Sequence, residues 1–224
     1  MTRIGRLLQV VVLPLISGAV WASPISVTNA DFGVPVIVCG LGYAYQATGG
    51  NCSGPLVPQQ DFNGTSGIGW TFVGGGSGLT RSGTPFNPPD FTGQTFTQAA
   101  FLQSSGSSVS QSLTGSSGVW TVNFYLGSRF NPTTDGNQTV DVMIDGSLVS
   151  SYALLTGTPF TLETVSFAET GGAHVLEFLG TASGDHTAFV SGVSASAVPE
   201  PVSFALLGAG LVGLGLLRRN RRHI

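Results

Sequence analysis

Residues 119–129 read VWTVNFYLGSR, and residues 138–146 read QTVDVMIDG. In the first, Trp120, Val122, Phe124 and Leu126 fall on every second position. In the second, Val140, Val142 and Ile144 do the same, with Asp141 and Met143 between them. Side chains alternate across a strand, so a period of 2 puts each apolar set on one face of a sheet, whereas a helix needs a period of 3.6. Asp145-Gly146 then reads as a two-residue hairpin turn, because both central positions of such a turn take positive φ. SLVSSYAL, 147–154, is the return strand.

The same signature extends in both directions. Downstream come FTLETVSFAE (160–169), HVLEFLG (174–180) and TAFVSGVSA (187–195). Upstream come ISVTNADF (25–32), GWTFVG (69–74), AAFLQ (99–103) and SVSQSL (108–113). Each run is short and bounded by Gly, Ser, Asn or Asp, the residues of turns. So many short strands predict an all-β body over 23–197, a β-sandwich of jelly-roll type. A single pair of packed sheets buries enough surface at this size.

The chain of 224 residues is 8 % charged, against about 25 % in ordinary globular proteins. It contains no Lys. Six of its eight Arg lie near the ends, leaving Arg81 and Arg129 in the body beside ten carboxylates. A body near −8 repels polyanions, which argues against nucleic-acid binding.

Both ends are apolar. Arg3 and Arg6 precede the uncharged run Leu7 to Val20, and Val20-Trp21-Ala22 places small residues at −3 and −1. Residues 1–22 therefore read as a signal peptide cut after Ala22, and the body as exported. At the other end, residues 202–217 carry no charge. As a helix they rise about 24 Å against a hydrocarbon core of about 30 Å. They are expected to form a short transmembrane helix, with Arg218, Arg219, Arg221 and Arg222 as a cytoplasmic stop. Pro199 and Pro201 flank Glu200 and keep that segment extended, open to a processing enzyme.

Val198-Pro199-Glu200-Pro201, then SFALLG, then the Arg-rich stop resemble the PEP-CTERM sorting signal of Gram-negative bacteria. The resemblance covers 198–224. It implies recognition by an exosortase, a membrane cysteine transpeptidase, after transit of the inner membrane and a transient anchor. It also implies a cell-surface or matrix destination in bacteria that make exopolysaccharide. The alternative is a plain tail anchor with a Pro-rich hinge.

The body is similar to galactose-binding-like jelly-roll domains. Asn29-x-x-Phe32, Gly69-Trp70, 98–113, 118–129, 140–146 and 174–195 carry that likeness; residues 33–66 depart from it. The likeness implies the fold and a tendency toward sugars, and the scaffold hosts many functions. Such domains often hold a structural calcium ion, for which Asp31 and Asp185 offer carboxylates; no other cofactor is expected.

Cys39 and Cys52, in an exported stretch, are expected to form a disulfide closing a loop of roughly 14 residues, stabilising by about 3 kcal/mol. The candidate ligand contacts are Tyr43 and Tyr45 in that loop, Trp70, and Arg129. Core packing is the alternative for Trp70 and Trp120, and an ion pair for Arg129. Catalytic sets are weak. No Gly-x-Ser-x-Gly elbow is present, Asp185-His186 reads as a turn, and Glu163, Glu169 and Glu177 are expected to point outward. The expected function is a non-catalytic surface or matrix protein that binds polysaccharide. The alternatives are a self-associating structural component and, third, a secreted glycosidase or esterase.

Overall fold

The computed structural model describes residues 21–37, 42–46, 67–130, 136–199, 207–208 and 210–211. Twelve strands lie within Ala22–Pro199: β1 (Ser23–Ile25), β2 (Tyr43–Tyr45), β3 (Thr71–Val73), β4 (Ser77–Arg81), β5 (Gln98–Gln103), β6 (Ser108–Gly115), β7 (Gly118–Ser128), β8 (Gln138–Ile144), β9 (Ser147–Leu154), β10 (Thr161–Glu169), β11 (Gly172–Gly180) and β12 (Thr187–Val198). One sheet runs β10-β7-β12-β5-β4-β2, with β1 also paired to β12; the other runs β3-β6-β11-β8-β9. Every pairing is antiparallel. This is the all-β jelly-roll sandwich that the period-2 runs predict.

Alternation makes the core. Trp120, Val122, Phe124 and Leu126 of β7 are fully buried, as are Val140 and Val142 of β8 and Leu176 and Phe178 of β11. Phe124 meets Phe178 across the sheets edge to face, centroids 4.9 Å apart. Each such ring adds about 1.5–3 kcal/mol by leaving water. Alanines at 100, 188, 195 and 197 keep the middle of the larger sheet thin, making room for these rings. Asp145 and Gly146 take φ of 50° and 76°, as the two-residue turn requires.

Two expectations need correction. Residues 25–32 are not one strand: β1 stops at Ile25, and Asn29 and Phe32 adopt positive φ. The Asn29 amide turns this segment by donating to the carbonyls of Val34 and Ile68 and accepting from the Val34 N–H. Glu163 and Glu169 do not look outward. They share the strand phase of buried Val165, at the two ends of β10, and Glu169 approaches His174 at 3.4 Å.

Leu207, Gly208, Gly210 and Leu211 are helical. Among the described residues no helix is long and apolar enough to cross a membrane. Residues 1–20, Cys39, Cys52, Glu200, Pro201, most of 202–217 and Arg218, Arg219, Arg221 and Arg222 lie outside the described residues. So do the leader, disulfide and span expected there.

Candidate functional site

The register of β5, β7 and β12 gathers polar residues at one end of the larger sheet. Ser128 ends β7 opposite Ala188, Thr187 opens β12 opposite Gln103, and Gln103 closes β5. Arg129 follows Ser128 and is locked to that end by its backbone N–H, which donates to Thr187 O. Its side chain, 13 % exposed, donates from Nη1 to Asp185 Oδ1 at 3.1 Å. The same carboxylate oxygen accepts from Gln103 Nε2, and Gln103 Oε1 accepts from the Tyr45 hydroxyl at 2.5 Å. A continuous polar line therefore runs Tyr45–Gln103–Asp185–Arg129. Asp185, 49 % exposed, is its opening to solvent.

An aromatic floor lies beneath this line. Tyr43 and Tyr45 occupy alternate positions of β2 and so share a face, while Ala44 between them enters the core. Phe86 stacks on Tyr43 at 4.9 Å and tilts against Phe101 at 4.4 Å. The Arg129 guanidinium sits 4.8 Å above the Phe86 ring, a cation–π contact worth about 0.5–2 kcal/mol. Phe91, Phe96, Phe160 and Phe189 complete a second apolar cluster outside the main core. Burial, then the neighbouring Tyr43 and Asp185, push the Tyr45 phenol above its ordinary range, so it stays a neutral donor.

Phe130 follows Arg129 in the chain. It is 62 % exposed, its backbone N–H donates to Asn87 O, and its ring crosses Gly157, where an added Cβ would lie 2.7 Å from Phe130 Cδ2. Gly157 also donates its N–H to Arg129 O.

Three of the four sequence-derived contacts, Tyr43, Tyr45 and Arg129, thus meet. Trp70 does not join them: it is 1 % exposed, stacked on Phe32 at 4.8 Å, with its indole N–H bonded to Asn29 O. Gln103 and Phe86 escape a sequence reading, and Asp185 enters it only as a carboxylate for calcium and as part of a turn. Phe86 lies in an irregular segment, and Gln103 closes a strand without any chemical motif. The Asp185-His186 pair does not form a Ser/His/Asp relay. Asp185 faces Arg129 and Gln103, while the His186 ring bonds Asn137 O at 2.8 Å. Among the described residues no three His, Cys, Asp or Glu cluster as for a metal ion. Asp31 accepts the Gly33 N–H, apart from the partners of Asp185.

Residues 197–222 match the family described as PEP-CTERM protein-sorting motif. The C-terminal segment therefore carries that motif. No curated protein matches the chain. Among solved structures, a Stig cyclase from Fischerella sp. TAU is similar at 13 % identity with a TM-score of 0.54, covering 80 % of this chain and 99 % of that one. A family 35 carbohydrate-binding module from Clostridium thermocellum is similar at 16 % identity and a TM-score of 0.42, covering 57 % and 90 %. The CBM22-1 xylan-binding domain from Paenibacillus barcinonensis is similar at 14 % identity and a TM-score of 0.44, covering 61 % and 89 %. The cyclase likeness bears on fold alone.

Proposed function

We propose that the chain is an exported, tail-sorted, non-catalytic protein whose sandwich binds a neutral polysaccharide at the Tyr45–Gln103–Asp185–Arg129 line. The sorting motif supports delivery to the cell surface or matrix through an exosortase-type enzyme, with the apolar tail as a transient membrane anchor. One observation carries the binding reading: a half-exposed carboxylate, pre-oriented by Arg129 and Gln103, ends a polar line that begins at the part-buried Tyr45 ring. Sugars are recognised by such pairs, because hydroxyls need oriented donors and acceptors while the apolar face of the pyranose packs on a ring. Arg129 is already neutralised by Asp185, and the body is strongly acidic, so an uronate-rich polymer gains no attraction here.

Affinity electrophoresis of the body on the host's exopolysaccharide and on neutral and uronate-containing polymers tests this. Retention by neutral polymer is expected. Asp185→Ala is expected to weaken it at least tenfold, about 1.4 kcal/mol. Migration unaffected by every neutral polymer defeats the reading.

A second reading, self-association, is favoured by the outer face of β10, β7 and β12. Leu162, Thr164, Ser166, Ala168, Val119, Thr121, Asn123, Ser194 and Ser196 form it without a charge, and Thr121–Ser166 and Thr164–Asn123 bond across it. Light scattering of the purified body distinguishes the two, since a strict monomer leaves that face without a mate.

A further inference from the structure

The match to the sorting motif begins at residue 197, which is inside the sheet. Ala197 and Val198 are the last two residues of β12. Ala197 is 1 % exposed and belongs to the main core. On one side Ala197 and Val198 pair with Trp120 and Val119 of β7; on the other Ala197 pairs with Ser23 of β1. Pro199 follows at once, half-buried. The body and the Pro-Glu-Pro segment are therefore joined without a spacer.

Gly118 makes this abrupt junction possible. A Cβ added there would lie 2.1 Å from the Val198 carbonyl oxygen and 2.8 Å from Pro199 Cα, both backbone atoms that cannot swing aside. Its φ of +139° is also one that side chains disfavour. With any larger residue at 118, β12 cannot finish alongside β7.

A processing enzyme needs its substrate backbone extended and unpaired in the cleft. A paired strand offers no free backbone until it opens locally; Ala197 is paired on both edges, and Val198 on its β7 edge with its carbonyl packed against Gly118. We infer that the folded sandwich sets the N-terminal limit of tail processing. The Ala197–Val198 and Val198–Pro199 bonds are sealed, the cut falls on the C-terminal side of Pro199, and the finished protein keeps both residues. Gly118 is the positioning residue for that limit. Cutting breaks one C–N bond: the acyl carbon passes to the enzyme thiol and then to water or an acceptor amine, and the departing tail leaves as an amine. This inference rests on the sorting reading.

Two measurements on the full chain test it. In the first, proteinase K is applied under native conditions and the resistant fragment is weighed. Its C-terminus is expected at or beyond Pro199. Gly118→Val is expected to move that end back to 193–197 and to speed loss of the Ala197–Val198 bond at least tenfold. Gly118→Ala, a milder insult, is expected to shift it the same way if the Val variant fails to fold. A wild-type fragment ending at or before Val198 overturns the inference. In the second, the protein is recovered from a host that processes it. A C-terminus at Pro199 or later supports the limit, and one at or before Val198 overturns it. A host protein still ending at Ile224 sinks the sorting reading instead, and the limit is then decided by the protease boundary.

Discussion

His174 shows what one residue does in a chain almost empty of cations. Its ring is mostly buried and meets two groups that can only accept: Asp145 Oδ2 at 2.8 Å from Nδ1, and Thr170 O at 2.9 Å from Nε2. Both are satisfied together only by the doubly protonated ring. Glu169 lies 3.4 Å from Nδ1, and the Trp120 edge packs at 5.3 Å. The hydrogen bond to Asp145 raises the His174 pKa above 6.5, against the opposing effect of burial. The Val175 N–H first, and His174 second, hold Asp145 below its ordinary 3.8. A raised histidine pKa stabilises fully below about 6.5, and that contribution is lost as pH rises through the folded value. A lowered aspartate pKa stabilises above its unfolded value, and that contribution is lost as pH falls through the folded one. The melting temperature should therefore be flat between about pH 4 and pH 6.5 and decline on the alkaline side. His174→Gln should remove the alkaline decline, as read by scanning calorimetry at pH 5 and pH 8.5. An unchanged decline would assign it elsewhere.

Gln98 acts at the same scale but through neutral bonds. It is 3 % exposed, accepts from the Ile37 N–H at 2.6 Å, and donates to the carbonyls of Phe32 at 2.7 Å and Pro35 at 3.0 Å. Gln98→Ala leaves three backbone groups without partners. It should lower the unfolding free energy by about 2–3 kcal/mol, measured in urea. Gln98→Glu should do the same near neutral pH, since the two carbonyls then face an acceptor.

At the level of elements, the segment between β1 and β2 repeats this chemistry. The Asn29 and Gln98 amides are aimed at the carbonyls of Val34, Ile68, Phe32 and Pro35. Oxygens of this kind are what a calcium ion collects. Here each of those oxygens already accepts from an amide N–H, and Asp31 is turned to Gly33. We therefore expect a chelator to leave the melting temperature within about one degree of its value in millimolar calcium; a fall of several degrees would show that an ion shares the task. This segment also marks where the sequence stops being legible. The long strands announce themselves because apolar residues at every second position have one physical explanation. β2 and β4 do not: YAY and SGLTR are too short and too Gly-rich to carry a period. The false strand at 25–32 follows from apolar residues whose backbone is bent by a side-chain amide, an effect that propensity does not encode. The aromatic floor escapes for a related reason. Phe86, Phe91 and Phe96 sit in an aperiodic Pro/Gly-rich connection, and they become a cluster only when laid on the outer face of β5 and β12. Tyr43, Tyr45 and Arg129 were legible because paired tyrosines and a rare cation stand out by chemistry alone, whereas Asp185 read as a turn.

Across the whole molecule, the chain's exit and the candidate site lie at opposite ends. Val119 at one end of β7 pairs with Val198, where the sorting segment leaves; Ser128 at the other adjoins Arg129 and the polar line. The nine residue steps from Val119 to Ser128 along β7 put about 30 Å between them. This geometry has a direct consequence for binding. Replacing everything after Pro199 with a bulky folded domain should leave polysaccharide affinity within about twofold, because the graft stands a full strand length away. Inserting the same domain between Ser183 and Gly184 should abolish retention, because that loop carries Asp185. Calorimetry on the two fusions, each checked for native melting, reads the difference. If the C-terminal fusion loses binding while the loop insertion keeps it, the glycan contact belongs at the exit end, and the Tyr45–Gln103–Asp185–Arg129 line is a structural brace rather than a site.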